Sequence, residues 1–166
     1  GGFIAALNAL KRPHDIASLT LIGYNPKGLT QQELQSRKGI LATLKNSKKM
    51  HFDEQRMSTF FTQEELKNTL VTQIVASMAE DLGGSVLFSH IQATTPRQDL
   101  TNALANAKFP IHFISAQRDQ IADESSIGHL ASTWSHATHF SIVDTAHMML
   151  ITKPESIASP LLAILK

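Results

Sequence analysis

The chain has 166 residues, of which 42% are hydrophobic and 17% charged, with a net charge of +1, which is typical of one globular domain with a sizeable core. The near-neutral charge favours neither a nucleic acid nor an anionic membrane as a partner, and no apolar run reaches the roughly 18–20 residues of a membrane span. Because the sequence has no cysteine, disulfide scaffolds and thiolate metal sites are excluded; a reducing, cytoplasmic location is expected, and no signal peptide is visible.

Two glycines open the chain and run directly into a helical pattern that ends before Pro13. The apolar positions of this helix are Phe3, Ile4, Leu7 and Leu10. The run "SLTLIGY" follows and predicts a buried strand at residues 18–23. Paired glycines indicate a close backbone approach, because glycine has no Cβ that could clash. We therefore expect a segment that this sequence does not contain to pack against Gly1 and Gly2.

Residues 29–95 differ from the rest of the chain, since they contain no clear strand and favour helices throughout. Thr30 is followed three residues later by Glu33, and Thr62 by Glu65. This spacing is the capping box, in which the hydroxyl and the carboxylate satisfy free N–H groups at the start of a helix. The two boxes therefore predict two helix starts.

A glycine pair at 83–84 predicts the end of the second of these helices, and a further helix is expected before Pro96. The same segment is rich in methionine and phenylalanine, which predict either a helical core or the lining of an apolar pocket. These residues are Met50, Phe52, Met57, Phe60, Phe61, Met78 and Phe88.

Strand–helix alternation returns after Pro96. A short helix leads to a buried strand at 110–116, a second helix to a strand at 138–143, and a terminal helix follows. Such alternation is typical of a parallel sheet with helices on both faces. The predicted fold class is therefore α/β, with parallel strands at about 18–23, 110–116 and 138–143.

Groups suited to acid–base chemistry follow two of these strands. Asp119 and Asp123 come after the strand at 110–116, and His147 comes after the strand at 138–143. In open parallel sheets, functional residues gather past the carboxyl ends of the strands. A carboxylate that accepts the Nδ1–H bond fixes the imidazole tautomer and leaves Nε2 free to take a proton. We expect Asp119 and His147 to lie within hydrogen-bond reach, with Asp123 as the alternative acid.

Other polar residues of this region have simpler interpretations. His136 and His139 form an H-x-x-H pair, but they span a helix end and a strand start and have no third ligand nearby, so a zinc site is not predicted. Asp144 is interpreted as a cap of the turn after its strand.

Several motifs resemble the α/β-hydrolase fold family. "GGFIAALNAL" and the strand after it resemble the closing glycines of that family's nucleophile elbow, G-x-S-x-G-G, with the helix and strand that follow. "FPIHFISAQRDQIAD" resembles the strand that carries the triad acid, and "FSIVDTAHMMLITKPESI" resembles the histidine loop. The resemblance implies that Asp119 is the acid, that His147 is the base, and that a nucleophilic serine stands two residues before Gly1. It covers nearly the whole chain but only about the second half of the family's domain.

The same resemblance implies one domain whose core is formed by residues 1–28 and 96–166 and whose helical lid is formed by residues 29–95. It implies a serine hydrolase of the carboxylesterase type that cleaves an acyl ester or thioester and uses neither a metal nor an organic cofactor. The substrate pocket is expected to include Ile121, Met148, Phe60 and Phe88. The alternatives within the fold are a lyase, a C–C hydrolase, an acyltransferase, or a dehalogenase or epoxide hydrolase with an aspartate nucleophile. A non-catalytic binding module is the alternative from another class.

In the family arrangement, the strand at 18–23 pairs with the strand that leads into the elbow. An apolar parallel strand without that neighbour presents a row of unpaired N–H and C=O groups. We therefore expect either an N-terminal segment that precedes Gly1 or a second copy of the chain to complete the sheet. We also expect no triad-dependent hydrolysis from residues 1–166 alone.

Overall fold

The computed structural model describes residues 1–47 and 54–165, so Met50 and Phe52 lie outside the described residues. In chain order the α-helices are α1 (Gly2–Lys11), α2 (Gln31–Ser47), α3 (Glu54–Phe60), α4 (Thr69–Ala93), α5 (Thr101–Ala105), α6 (Glu124–Thr133), α7 (Met149–Thr152) and α8 (Pro154–Ile164). The strands are β1 (Leu19–Ile22), β2 (Ile111–Ala116) and β3 (Ala137–Ile142). Short 3₁₀ turns cover Pro13–Asp15 and Glu65–Lys67. Each predicted strand is confirmed, with its ends within one residue of the expected positions.

The three strands form one parallel sheet in the order β1-β2-β3. Leu19 lies opposite Ile111, and Ile111 lies opposite Ala137, so all three strands share one register. Their carboxyl ends therefore meet at the same edge of the sheet, which we call the carboxyl edge. Among the described residues, β1 pairs with β2 alone, so its outer edge has no strand partner there.

Helices cover both faces of the sheet, because alternate residues of a strand point to opposite sides. Ile111 and Phe113 of β2 are fully buried in a cluster with side chains of α1, α5 and α6. Ile114 and Ala116, also fully buried, belong to a second cluster with Met149 of α7 and residues of α8. This arrangement confirms the predicted α/β class with a sheet between two helical layers.

The expectation that the segment against the opening glycines lies outside this sequence is wrong for Gly2, because Tyr24 of the same chain packs there. A Cβ on Gly2 would lie only 2.5 Å from Cγ of Tyr24, in the loop that follows β1. A Cβ on Gly1 would meet no described atom within 4 Å. The start of α1 is therefore held against the segment that leaves the carboxyl edge of β1.

Helices α2, α3 and α4 form a helical insertion between β1 and β2, and we use this name for residues 29–95 below. The insertion has its own apolar cluster, which also contacts two residues of the segment after β3. The cluster consists of Met57, Phe61, Val71 and Val75, with Met148 and Ile151 packed against it. The predicted break at the glycine pair is present within α4, where Gly83 has a non-helical φ of 69°. None of the helices in the described part of the chain is long and apolar enough to cross a membrane.

Candidate active site

Asp119 and His147 meet at the carboxyl edge of the sheet. Asp119 follows β2 and His147 follows β3, and the Nδ1 atom of His147 lies 2.8 Å from Oδ2 of Asp119. This distance confirms the prediction that the two side chains lie within hydrogen-bond reach. An Nδ1–H donor on His147 satisfies the carboxylate and leaves Nε2 as the acceptor atom of the ring.

The loop after β2 fixes the direction of the Asp119 carboxylate. Its Oδ1 atom accepts hydrogen bonds from the N–H groups of Ile121 at 2.7 Å and Ala122 at 2.9 Å. The side chain is completely buried, so water does not compete for these bonds. The backbone of this loop is also joined to the histidine loop, because the N–H of Arg118 donates to the carbonyl of Thr145 at 3.0 Å. Oδ2 of Asp119 therefore points at the imidazole with little freedom to turn away.

The other two carboxylates near this edge are engaged elsewhere. Asp123 is the N-cap of α6, where its carboxylate accepts the N–H of Ser126 at 2.8 Å. Asp144 has a positive φ of 52° in the turn after β3 and forms an exposed ion pair with Arg118 at 2.7 Å. Asp123 therefore does not serve as the partner of His147 in this structure.

The ring of His147 is partly exposed. Its side chain is 24% exposed, and the described residues provide no hydrogen-bond partner for Nε2. The ring of Phe60 lies at 6.2 Å between centroids and is tilted by 47°. Gly23, at the end of β1, has a φ of 58°, and a Cβ there would lie 3.5 Å from Cε1 of His147. In this arrangement Nε2 can accept a proton from a hydroxyl that approaches the exposed part of the ring.

An apolar cavity of about 170 Å³ lies between one face of α4 and two neighbours of His147, Phe60 and Met148. Its lining consists of Phe60, Val75, Met78, Ala79, Leu82, Gly83, Val86, Leu87, His90 and Met148. The α4 positions recur mostly at spacings of three and four residues, as expected for one helix face. A dry apolar cavity of about 150 Å³ accommodates a benzene-sized molecule, so this space suits an apolar group of about six carbons.

Two of the four residues expected in the substrate pocket line this cavity, namely Phe60 and Met148. The other two do not. Phe88 is half-buried on α4 but is rotated by about 100° from its neighbour Leu87, which does line the cavity. Ile121 is 44% exposed, in the loop whose backbone holds Asp119.

The two histidines of the H-x-x-H pair have separate surroundings. Nε2 of His136 lies 3.0 Å from the carbonyl oxygen of Leu104, and its ring stacks on Trp134. Nε2 of His139 lies 2.6 Å from Oγ of Ser115 and 3.8 Å from a carboxylate oxygen of Glu124. Burial lowers the pKa of His139 below its ordinary value, and the nearby Glu124 carboxylate only partly opposes this effect.

Sequence analysis identified Glu65 only as a member of a capping box. The hydrogen bonds of the box are present, but the box begins the 3₁₀ turn Glu65–Lys67, and α4 itself begins at Thr69 with Asn68 as its N-cap. The Glu65 carboxylate also lies against the histidine loop, 2.5 Å from the hydroxyl of Thr145. The backbone N–H of Ala146 lies 3.3 Å from the same carboxylate. The only signal in the sequence was the local Thr-x-x-Glu spacing, which carries no information about a contact 80 positions away.

Comparison with solved structures shows the same fold at low sequence identity. An esterase from Thermogutta terrifontis matches with a TM-score of 0.89 and 17% identity, covering 99% of this chain and 61% of its own. An enol-lactonase from Burkholderia xenovorans LB400 matches with a TM-score of 0.80 and 16% identity, covering 99% and 62%. An esterase from Exiguobacterium antarcticum matches with a TM-score of 0.75 and 14% identity, covering 99% and 63%. The chain therefore spans about three fifths of the length of these proteins.

No curated protein matches the sequence. A family match is nevertheless clear, since residues 1–154 match the family described as alpha/beta hydrolase fold. This match includes all three strands, the helical insertion, Asp119 and His147. The chain belongs to the alpha/beta hydrolase fold family.

Proposed function

We propose that this chain supplies the acid and the base of a serine hydrolase of the carboxylesterase type. The observation that carries the proposal is the 2.8 Å contact between His147 and the buried Asp119, together with an Nε2 atom that has no described partner. Fold neighbours that are esterases and an enol-lactonase support ester or lactone cleavage as the reaction class. The proposed pair uses Asp119 to orient the ring and His147 to move protons.

The nucleophile is proposed to be a serine two residues before Gly1. Two contacts support this position. Gly2 packs on Tyr24, and the preceding residue, Gly23, lies beside the ring of His147. A residue just before Gly1 would therefore approach the carboxyl edge near the ring of His147. The coverage of about three fifths of the matched structures is consistent with a nucleophile outside this chain.

In the proposed reaction, Nε2 of His147 takes the serine proton as Oγ forms a bond to the acyl carbon. The oxyanion is held by the N–H of the residue after the serine and by an N–H from an earlier loop, both outside this chain. The imidazolium then gives its proton to the leaving alkoxide or thiolate as the C–O or C–S bond breaks. Water repeats the sequence on the acyl-enzyme, which releases the acid and regenerates the serine.

The cavity beside Phe60 and Met148 is proposed to bind the apolar part of the ester. A volume of about 170 Å³ favours a group of about six carbons, with longer chains extending into solvent. The helical insertion is proposed to act as a lid that keeps water from this side of the histidine. Its cluster of Met57, Phe61, Val71 and Val75 already packs on Met148, which supports this role.

The sheet is proposed to be completed at β1, either by a segment that precedes Gly1 or by a second copy of this chain. Leu19 and Leu21 of β1 are buried on one face of the sheet, and Ile22 is partly buried on the other. The outer N–H and C=O groups of the strand have no described strand partner and are suited to parallel pairing. Light scattering on residues 1–166 alone tests this proposal, and a stable monomer that hydrolyses esters through His147 would overturn it.

The function is tested on the intact protein with a fluorophosphonate probe, which labels only an activated serine, and with p-nitrophenyl esters of increasing acyl length. We expect label on the serine before Gly1, turnover that is highest near a six-carbon acyl group, and loss of both in His147→Ala, by about 10⁴-fold or more for turnover. Asp123→Asn is the matched control, because asparagine also caps a helix. Ester turnover without a labelled serine would contradict the serine assignment, turnover of an alkyl halide or epoxide in place of the esters would indicate an aspartate nucleophile, and the absence of any turnover would favour the binding module.

A further inference from the structure

The carboxylate of Glu65 joins the helical insertion to the loop that carries His147. Glu65 begins the 3₁₀ turn that precedes α4. Its Oε1 atom accepts a hydrogen bond from the hydroxyl of Thr145 at 2.5 Å, and Oε2 lies 3.3 Å from the donating N–H of Ala146. These two residues stand directly before His147 in the chain.

Thr145 occupies the centre of this contact. It is completely buried, and its Oγ1 atom also lies 2.7 Å from Oγ1 of Thr152 in α7. Its carbonyl accepts the N–H of Arg118 from the loop that holds Asp119. Thr145 therefore connects three elements: the helical insertion, α7 and the loop that carries Asp119.

His147 lies between two such contacts. On its other side, the N–H of Met148 donates to the carbonyl of Phe60 at 3.3 Å. The backbone before the histidine and the backbone after it are therefore both bonded to the insertion. This arrangement restricts the position of the His147 backbone independently of the Asp119 bond, which acts only on the ring.

The contact with the histidine loop exceeds what helix capping requires, as the other capping box shows. Glu33 accepts the N–H of Thr30 at 2.7 Å, and Glu65 accepts the N–H of Thr62 at 2.7 Å. The remaining bond of the Glu33 carboxylate goes to the hydroxyl of the same Thr30, at the exposed start of α2. The bonds from Thr145 and Ala146 are therefore a separate feature of Glu65.

The charge state of Glu65 strengthens this contact. Burial alone would raise the pKa of its carboxyl, but hydrogen bonds from Thr145, Thr62 and Thr152 outweigh burial and hold the pKa below the ordinary value. The group is therefore ionised at neutral pH, and hydrogen bonds to an ionised acceptor are shorter and stronger than bonds between neutral groups.

We propose that Glu65 is a positioning residue, which fixes the backbone before His147 so that Nε2 faces the nucleophile while Nδ1 faces Asp119. The proposal rests on the proposed hydrolase function, because it assigns Glu65 a role in that reaction. Glu65 acts through Thr145 and Ala146 and does not touch the substrate. A displacement of about 1 Å in such a group can reduce the rate by about 100-fold.

The test compares Glu65→Gln with Glu33→Gln in the intact protein. An amide keeps one acceptor oxygen, so each variant weakens its capping box equally, but only Glu65→Gln weakens the contact with the histidine loop. We expect Glu65→Gln to lower kcat by about 10- to 100-fold with KM nearly unchanged. We also expect the N–H of Ala146 to exchange with solvent at least about tenfold faster. Glu33→Gln should change neither quantity.

Thr145→Val provides an independent variant, because it keeps the shape of the buried side chain and removes only the hydroxyl. It should also lower kcat, and the two effects should be less than additive, since both changes break the bond between Thr145 and Glu65 although Thr145→Val also removes the contact with Thr152. Ordinary kcat and Ala146 exchange in both variants would overturn the proposal. A third outcome separates the two proposals. If the Ala146 N–H exchanges faster in Glu65→Gln while ester hydrolysis survives His147→Ala, the proposed function is refuted and the structural role of the Glu65 contact remains.

Discussion

Two histidines on either side of the end of β3 have similar partners and very different surroundings. His147, in the loop after the strand, is bonded to the carboxylate of Asp119 at 2.8 Å. His139, within the strand, lies 2.6 Å from the hydroxyl of Ser115 and 3.8 Å from the carboxylate of Glu124. By residue type alone, Ser115, His139 and Glu124 are the more complete triad.

The two groups differ in whether a substrate can reach them. Ser115 is completely buried, and α6 lies directly over His139, since a Cβ on Gly128 would be 3.3 Å from its ring. No substrate carbonyl can reach a hydroxyl enclosed in this way. His147 instead stands at the carboxyl edge, with a partly exposed ring beside an apolar cavity. The comparison shows that residue types identify a candidate site only when the fold also leaves space for the substrate.

The largest expected difference is in kcat, between substitutions of the two carboxylates Asp119 and Glu124. In Asp119→Asn of the intact protein, the amide oxygen can still accept from Ile121 and Ala122, which turns the NH₂ group toward Nδ1 of His147. The ring would then carry its proton on Nε2 and could not act as the base, so we expect kcat to fall by about 10³- to 10⁴-fold. Glu124→Gln should leave kcat within about twofold. Steady-state kinetics on a p-nitrophenyl ester checks both values, and equal losses would mean that the two pairs do not differ in role.

The second difference concerns stability. His139→Ala leaves the buried hydroxyl of Ser115 without its partner, so we expect the free energy of unfolding to fall by about 1–3 kcal/mol. kcat should stay within about twofold, because His139 lies behind α6 and away from the proposed site. Urea unfolding measures the loss, and the double variant with Ser115→Ala should recover part of it. A large loss of kcat in folded His139→Ala would contradict the assignment of His139 as structural.

The sequence was sufficient to predict that Asp119 and His147 lie within hydrogen-bond reach, because apolar runs mark strands and the loops after parallel strands share one edge. It did not predict that Phe88 and Ile121 lie outside the lining of the cavity beside Phe60 and Met148, because their side-chain directions depend on the rotation of α4 and on a loop whose backbone bonds Asp119. It was insufficient for Glu65 as well. The two capping boxes have the same spacing, and only tertiary packing brings one of them to Thr145.

The smallest expected effect is the pH dependence that His139 contributes to stability. Burial holds the pKa of His139 below its ordinary value, so the folded chain keeps the ring neutral at a pH where the unfolded chain, with a pKa of about 6.5, binds a proton. The unfolded state then binds more protons, and stability must fall as the pH drops below about 6.5. Above that pH the contribution is fully present, and it is lost progressively until the folded-state pKa is passed.

The test is the free energy of unfolding in urea between pH 7.5 and pH 5 for the unaltered protein and for His139→Gln, whose amide can still bond Ser115. We expect a shallower decline in His139→Gln. Burial also lowers the pKa of His112. Its contribution to stability declines equally in both proteins and therefore cancels when the two are compared. Glu65 does not contribute between pH 7.5 and pH 5, because its pKa is lowered and its contribution to stability is lost only once the pH falls to about 4.3, the pKa of glutamate in the unfolded chain, or lower. If the free energy of unfolding falls with pH equally in both proteins, the neutral state of the His139 ring does not contribute to the pH dependence of stability. The buried bond to Ser115 would then be what distinguishes this histidine from His147 at the carboxyl edge.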